Sequence, residues 1–234
     1  GRSTQFIKEK DMEKANSNPQ DIVIIGAGFV GVATAMWLQK SGHKVTLIDP
    51  EPFEKGAYFG NACTIATYAN IPVGTPSTIK NIPKLLFSPQ SPLSLSWSYL
   101  PKLTPWLLRF AWASRPSQVA SISHQLGVLL SHAQSALAPL IETAKGEDLV
   151  AKNGTLYLYG SEAGFMKAKS DIQLRRLSGI PVTKLTKAEI SDLEPQLNPV
   201  YKRGLFFDNA QHLLSPLNLL QRMGASVIAK GGQI

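Results

Sequence analysis

The clearest indication of the fold class is the stretch Asp21–Pro50, DIVIIGAGFVGVATAMWLQKSGHKVTLIDP. Its first residues, 21–26, predict a strand, since residues 22–25 form the continuous apolar run that is typical of a buried parallel strand. Residues 29–41 predict a helix that ends at Gly42, where a left-handed cap is needed. The apolar run 45–48 predicts a second strand. A strand, a helix and a second strand within about thirty residues form a βαβ unit.

The turn between the first predicted strand and the helix has the pattern G-x-G-x-x-G over residues 26–31. The first glycine permits a tight turn, the second lets a pyrophosphate approach the backbone, and the third lets the helix pack close to the strand. The free N–H groups and the dipole at the helix start favour phosphate. The candidate cofactor-binding residues of the turn are Gly26, Ala27, Gly28, Phe29, Val30 and Gly31.

An acid follows at the end of the second predicted strand. Asp49, with Pro50 after it, lies 18 residues beyond Gly31. A carboxylate at this position accepts hydrogen bonds from ribose hydroxyls, and it repels the 2′-phosphate of NADP. The sequence therefore predicts a dinucleotide site, but the pattern alone does not separate FAD from NAD.

Charge is distributed unevenly along the 234 residues, whose net charge is +8. Residues 55–141 contain no Asp or Glu, and they include Trp97, Trp106 and Trp112. A basic, aromatic surface attracts a membrane face, an acidic substrate or nucleic acid. The alternative is a proline-broken substrate domain with few charges of any kind. Because no nucleic-acid-binding motif accompanies the charge, we predict no nucleic-acid partner.

Several further features bear on location and metal binding. No apolar run reaches the roughly 18–20 residues that span a bilayer. Residues 1–20 lack the apolar core of a signal peptide and predict a disordered polar tail. A single cysteine, Cys63, excludes an internal disulfide and suits a reducing compartment. His124 and His132 lack a third ligand at plausible spacing, so we expect no metal.

The remaining pattern predicts mixed helices and strands. In the helix 101–113, Leu103, Trp106, Leu107 and Phe110 share one face, Lys102 and Arg109 share another, and Leu108 and Trp112 lie off both. This helix therefore has more apolar surface than one core contact would use. The other predicted elements are a loop with helical turns at 72–97, helices at 117–145 (with a kink at Pro139), 162–178 and 216–229, a short helix capped by Thr186 and Glu189, strands at 155–159, 180–185 and 204–208, and the start of a further strand at Gln233-Ile234.

Four stretches carry a resemblance to a known family. They are YFGNACTIA (58–66), PLSLSWSYLPKLTPWLLRFAWASRPSQV (92–119), NGTLYLY (153–159) and GLFFDNAQHLLSP (204–216). Together with the glycine-rich turn, they make residues 21–234 similar to about half of a member of the FAD-dependent D-amino-acid oxidase superfamily. Within it, the chain most resembles bacterial D-amino-acid dehydrogenases.

The resemblance implies a fold and a domain order. The expected fold class is α/β: a Rossmann-like FAD-binding domain of the GR2 type with an inserted α+β substrate-binding domain, truncated at the C-terminus. Residues 21–71 would form the FAD-binding βαβ unit, residues 72–200 the substrate-binding domain, and residues 201–234 a return to the FAD domain. The chain would be the N-terminal part of a longer protein. This part by itself would bind FAD poorly and be inactive.

The resemblance also implies site residues. The turn 26–31 and Asp49 would hold the ADP half of FAD, while Gly60, Asn61 and Ala62 would lie along the flavin. His212 is a candidate substrate-facing residue. Family members often have glycine where this chain has Cys63, and the expected role of this cysteine is that of a small packed residue.

The implied reaction is oxidation of the C–N bond of an amino acid to an oxo acid and ammonia, with electrons passing to a quinone or oxygen. A peripheral membrane contact through residues 80–115 would suit a quinone. The protein is then cytoplasmic or peripheral on the inner face of the plasma membrane, as a homo-oligomer or with a second subunit. The alternatives are an NAD-dependent dehydrogenase and a non-catalytic truncated or accessory subunit.

Overall fold

A computed structural model of the chain describes residues 18–53, 56–86 and 96–234. Nearly all of the predicted polar tail (1–20) and part of the predicted membrane contact, residues 87–95, lie outside them. In chain order the elements are β1 (Asp21–Ile25), α1 (Phe29–Lys40), β2 (Lys44–Ile48), β3 (Thr64–Ile65), α2 (Pro76–Leu86), a 3-10 turn (Trp97–Tyr99), α3 (Leu100–Ala113), α4 (Pro116–Ser131), α5 (Ala133–Thr143), a 3-10 turn (Glu147–Leu149), β4 (Val150–Ala151), β5 (Thr155–Tyr159), α6 (Glu162–Lys167), α7 (Lys169–Leu177), β6 (Thr183–Thr186), α8 (Lys187–Leu193), β7 (Arg203–Phe207), β8 (Gln211–Leu213) and α9 (Pro216–Ala229).

The chain divides into two compact units. Unit 1 contains the residues up to Ile65 together with 135–151 and 212–234, and unit 2 contains residues 66–134 and 152–211. The sequence places residues 66–71 and 201–211 in the FAD domain and residues 135–151 in the inserted domain, and these three assignments differ from the structure. The reason for the difference is packing, because Leu140, Ile141 and Ala144 are buried in the core of unit 1, whereas Leu205, Phe207 and Ala210 are buried in that of unit 2.

The predicted βαβ unit is confirmed at the start of unit 1. Strands β1 and β2 are parallel and in register from the pair Asp21–Lys44 to the pair Ile25–Ile48. Helix α1 connects them, and the chain turns after it at Gly42, whose φ of +88° is accessible mainly to glycine. The expectation that β1 is a buried strand is wrong: Val23 and Ile25 are 58% and 85% exposed, and Ile22 and Ile24 are only half-buried.

Helix α9 completes the layer beside the two parallel strands. Ser215 caps it by accepting a hydrogen bond from the Asn218 N–H at 3.3 Å, and Pro216 follows at the first turn. Its Leu219, Leu220 and Met223 are fully buried in the core that also contains α1 and β2. These contacts fix the helix next to α1.

The chain adds a further parallel pairing after α9. The Gln233 N–H donates to the Val45 carbonyl at 3.1 Å, and the Leu47 N–H donates to the Gln233 carbonyl at 2.8 Å. Gln233 thereby forms a parallel bridge with Thr46 on the edge of β2. The prediction that a strand starts at Gln233 is confirmed for that residue. A second, three-stranded sheet in this region has the order β3–β8–β4.

Unit 2 is built on an antiparallel sheet of order β5–β7–β6. Its core contains Phe165, Ile172 and Phe207, and the Tyr68 ring stacks on Phe207 with centroids 4.4 Å apart. Arg175 of α7 is buried here, where its Nε–H donates to the Tyr68 carbonyl at 3.3 Å. The predicted capping box is confirmed, since Thr186 and Glu189 satisfy each other's backbone N–H groups.

Several predicted boundaries were wrong. The helix predicted over 117–145 is two helices, α4 and α5, which are interrupted at His132 rather than kinked at Pro139. The helix predicted over 162–178 is likewise divided at Ala168 into α6 and α7. Part of the loop predicted over 72–97 is the helix α2, and the strand predicted over 180–185 begins later, at Thr183.

Candidate dinucleotide-binding site

The glycine-rich turn leaves the start of α1 open. Gly26 has a φ of +104°, and its N–H donates to the Ile48 carbonyl at 2.8 Å, which fastens the turn to the end of β2. Gly28 is the N-cap of α1, no side chain caps the helix, and no acid stands in its first turn. The first N–H groups of a helix have no intrahelical partner. The amides at the start of α1 are therefore available to an anion, with the helix dipole favouring it.

The second and third glycines differ in what surrounds them. A Cβ on Gly31 would lie 1.9 Å from the carbonyl oxygen of Gly26, so any side chain there forces α1 away from the turn. A Cβ on Gly28 would meet no protein atom within 4 Å. Gly31 is thus required by the close packing of the helix, whereas the open space beside Gly28 suits a group that approaches the backbone.

Asp49 lies directly against the turn. Its Oδ2 accepts a hydrogen bond from the Ala27 N–H at 2.8 Å, and its Oδ1 accepts one from the Glu51 N–H at 3.0 Å. The bond from Ala27, and secondly that from Glu51, lowers the pKa of Asp49 below its ordinary value. A carboxylate has about four lone-pair positions, so this charged group still has room for hydroxyl donors.

A cavity of about 560 Å³, here called cavity A, joins the turn to Asp49. All six residues of the turn line it, as do Asp49 and Asn61, whereas Pro50, Gly60 and Ala62 do not. The sequence reasoning missed Glu51, Phe53 and Tyr58, which also line cavity A. Glu51 could have been predicted as a lining residue, because it lies just after the end of β2. Phe53 and Tyr58 could not, because their place in the cavity depends on contacts with residues distant in sequence.

A second cavity of unit 1, cavity B, has a volume of about 400 Å³. Phe29 and Asn61 line both cavities, so the two are neighbours along one surface. Cavity B is also lined by Ala62, Cys63, Thr64, Ile65, Leu137, Leu213, Pro216 and Leu219. Its walls are mostly apolar side chains, which suits a flat aromatic group better than a charged one.

The turn between the cavities is held by Asn61. Its Oδ1 accepts a hydrogen bond from the Cys63 N–H at 2.8 Å, and the preceding Gly60 has a φ of +71°. Cys63 itself has a φ of +58°, a conformation that disfavours residues with a Cβ. This geometry gives a physical reason for the glycine that family members often have at this position.

The candidate histidines lie elsewhere. His212 is half-buried on β8 opposite Ala151, and it lines neither cavity A nor cavity B. His124 lies on α4, and His132 follows the end of that helix. In the part of the chain that the structure describes, no cluster of three or more His, Cys, Asp or Glu residues is arranged to hold a metal.

Comparisons with known proteins identify the family. Residues 21–234 match the model of the DAO family, described as FAD-dependent oxidoreductases. The chain is 33% identical over 220 residues to a D-amino-acid oxidase of Bradyrhizobium diazoefficiens, covering 91% of this chain and 51% of the relative. It is 29% identical over 180 residues to D-amino acid dehydrogenase 2 of Ralstonia nicotianae, covering 75% and 42%.

The fold agrees with the family match. Glycine oxidase from Bacillus cereus superposes with a TM-score of 0.56 at 16% identity, covering 92% of this chain and 45% of the oxidase. The chain spans about half the length of the curated relatives it matches. Because the matched family depends on FAD, the NAD alternative is set aside. The chain belongs to the DAO family of FAD-dependent oxidoreductases.

Proposed function

We propose that this chain supplies the FAD-holding part of an enzyme that oxidises the C–N bond of an amino acid, as in D-amino-acid dehydrogenases. The observation that carries the proposal is the uncapped start of α1 beside Asp49 in cavity A. Relatives named D-amino-acid oxidase and D-amino acid dehydrogenase support the choice of substrate class. The products are an oxo acid and ammonia.

The residues of cavity A fit the ADP half of FAD. The amides at the start of α1 would hold the diphosphate, since they are donors without a side-chain cap and Gly28 leaves them accessible. The remaining acceptor capacity of Asp49 would hold the ribose hydroxyls. Pro50, which comes directly after Asp49, would lie where the chain leaves the ribose.

The residues between the cavities fit the flavin half. Asn61 and Ala62 line the largely apolar cavity B, and Gly60 turns the chain just before them. Small side chains and backbone N–H groups at this position would let an aromatic ring lie against the chain. When bound, FAD supplies the acceptor for a hydride equivalent from the substrate α-carbon.

Residues of unit 2 and of strand β8 would bind the amino-acid substrate. An amino acid that arrives with its amine deprotonated needs no strong general base, so the protein mainly orients the α-carbon. The imino acid then takes up water and releases ammonia. His212 stays a candidate for facing the substrate.

Electrons would then pass to a quinone or to oxygen. A membrane quinone requires contact with a lipid surface, for which we propose residues 80–115, and it places the protein on the inner face of the plasma membrane rather than free in the cytoplasm. In the described part of the chain, no helix is both long enough and apolar enough to cross a bilayer. Assembly with a second copy or a second subunit is also part of the proposal.

The alternative is that the chain is inactive alone and completes its site with a separate chain. The test adds the complementary C-terminal half of the Bradyrhizobium relative in trans and measures dye reduction with D-amino acids. Activity that needs both halves supports this candidate. A chain that quenches no FAD fluorescence, alone or complemented, contradicts the proposed function.

A further inference from the structure

Helix α3 exposes an unusual apolar ridge. Leu108 and Trp112 are 67% and 53% exposed, and their spacing of four residues places them one above the other on the helix. The 3-10 turn that precedes α3 adds the exposed side chains of Trp97 and Tyr99. Large exposed apolar patches mark sites that contact a protein or a membrane.

The opposite face of α3 is anchored within unit 2. Leu103, Leu107 and Phe110 are half-buried and Ser114 after the helix is buried, while Trp106 on the same face is 57% exposed. The backbone of Gly74 approaches so closely that a Cβ there would lie 2.8 Å from the Phe110 ring. The ridge is therefore presented outward by a helix that is already packed on its other side.

Two positively charged side chains lie beside the ridge. Lys102 and Arg109 are both exposed and lie seven residues apart, so they share one face next to Leu108 and Trp112. Residues 55–141, which contain α3 and the following α4, include no Asp or Glu. A second copy of this surface would bring like charges together, whereas a surface of negative charge would be attracted to it.

We propose that α3 docks in the plane of an anionic lipid surface, with Leu108 and Trp112 inserted below the headgroups and Lys102 and Arg109 on the phosphates. Trp97 and Tyr99 would lie at the boundary, where their amphipathic rings are favoured. This inference gives residues and a lipid chemistry to the membrane contact of the proposed function. It does not depend on FAD or on an amino-acid substrate, so the membrane inference and the proposed enzymatic function can fail independently of each other.

The test is flotation of the purified 234-residue chain with vesicles. We expect binding to phosphatidylglycerol mixed with phosphatidylcholine, weak binding to phosphatidylcholine alone, and weakening by salt. Lys102→Gln with Arg109→Gln should lower partitioning about 25-fold, because each basic residue near such a surface contributes ~1 kcal/mol. Leu108→Ala with Trp112→Ala should lower it at least tenfold and remove part of the blue shift of tryptophan fluorescence.

Matched controls come from unit 2. Leu129→Ala with Leu177→Ala removes equally exposed apolar side chains from other helices, and Lys187→Gln with Lys202→Gln removes exposed charges. Both controls should bind vesicles like the unmodified chain. The proposal is overturned if the chain does not bind anionic vesicles, or if the control variants lose as much vesicle binding as the α3 variants. It is also overturned if sedimentation shows that α3 instead joins two copies of the chain or binds the complementary half. Circular dichroism checks that every variant is folded.

Discussion

Replacing the second and the third glycine of the glycine-rich turn by alanine, one at a time, distinguishes the packing of α1 from the binding of a nucleotide. In Gly31→Ala the new Cβ would lie 1.9 Å from the Gly26 oxygen, so the helix and the turn must separate by roughly 1.5 Å to restore ordinary contact. Overpacking costs about 1–3 kcal/mol, and a contact this short against backbone lies at the upper end, about 2–3 kcal/mol; the better helix propensity of alanine offsets about 1 kcal/mol. We expect the free energy of unfolding to fall by about 1–2 kcal/mol.

Gly28→Ala is the matched variant. Its Cβ meets no protein atom within 4 Å, and its φ of −76° suits alanine, so only the weaker N-cap is lost, at a cost of about 1 kcal/mol or less. The same methyl group would stand between a diphosphate and the amides of α1. Losing a charge-assisted hydrogen bond weakens binding by about 1.5–3 kcal/mol, or roughly 10–100-fold.

The assays are urea denaturation for stability and calorimetric titration with ADP and with FAD for affinity. ADP reports on cavity A even if the flavin half is held weakly. The reasoning is refuted if Gly28→Ala binds both ligands like the unmodified chain, since the turn would then not contact the diphosphate. It is also refuted if Gly31→Ala unfolds at an unchanged urea concentration.

Three further measurements test other parts of the structure. Cys63→Gly should raise the free energy of unfolding by about 0.5–1 kcal/mol, because it removes a Cβ from a backbone with a φ of +58°; Cys63→Ala, which keeps the Cβ, should give no such gain in urea denaturation. Thr186→Ala should lower stability by about 1 kcal/mol through loss of the N-cap of α8, whereas Thr183→Ala on β6 should not remove a cap. Burial, and secondly the hydrogen bond with Tyr68, raises the pKa of Tyr157 from 10.0 to about 12. The folded chain should therefore lose stability as pH rises from about 10 to about 12, and Tyr157→Phe should lose less over that interval in alkaline denaturation; equal losses would contradict the assignment.

Much of the site was predictable because its signals are local. The apolar run of β1, the three glycines and Asp49 lie within one βαβ unit, where each residue's neighbours are set by short-range backbone geometry. The same holds for Gly42, whose φ ends the first connection, and for the capping box of Thr186 and Glu189. Such features depend on a few consecutive residues and need no knowledge of distant contacts.

The wall of cavity A could be predicted only in part. Asp49 and the turn follow from spacing, but Phe53 lines the cavity because its ring packs against Gly224, far along the chain. Tyr58 is fixed in a similar way, by an edge-to-face contact with Phe29. No periodicity encodes these pairings, since Phe53 meets a glycine of α9 and Tyr58 meets a residue of α1, both distant in sequence.

The βαβ unit, its glycine-rich turn and the acid that faces the turn follow from the order of residues alone, because they arise from steric limits on the backbone and from hydrogen bonds over short separations. The division of the apolar repeat over residues 117–145 at His132 follows instead from packing. The repeat is continuous, but its two halves lie in different units: α4 belongs to unit 2, where Val119 is buried, and α5 packs Leu140 and Ile141 into the core of unit 1. Burial of apolar surface across long separations, rather than local helix propensity, set that break.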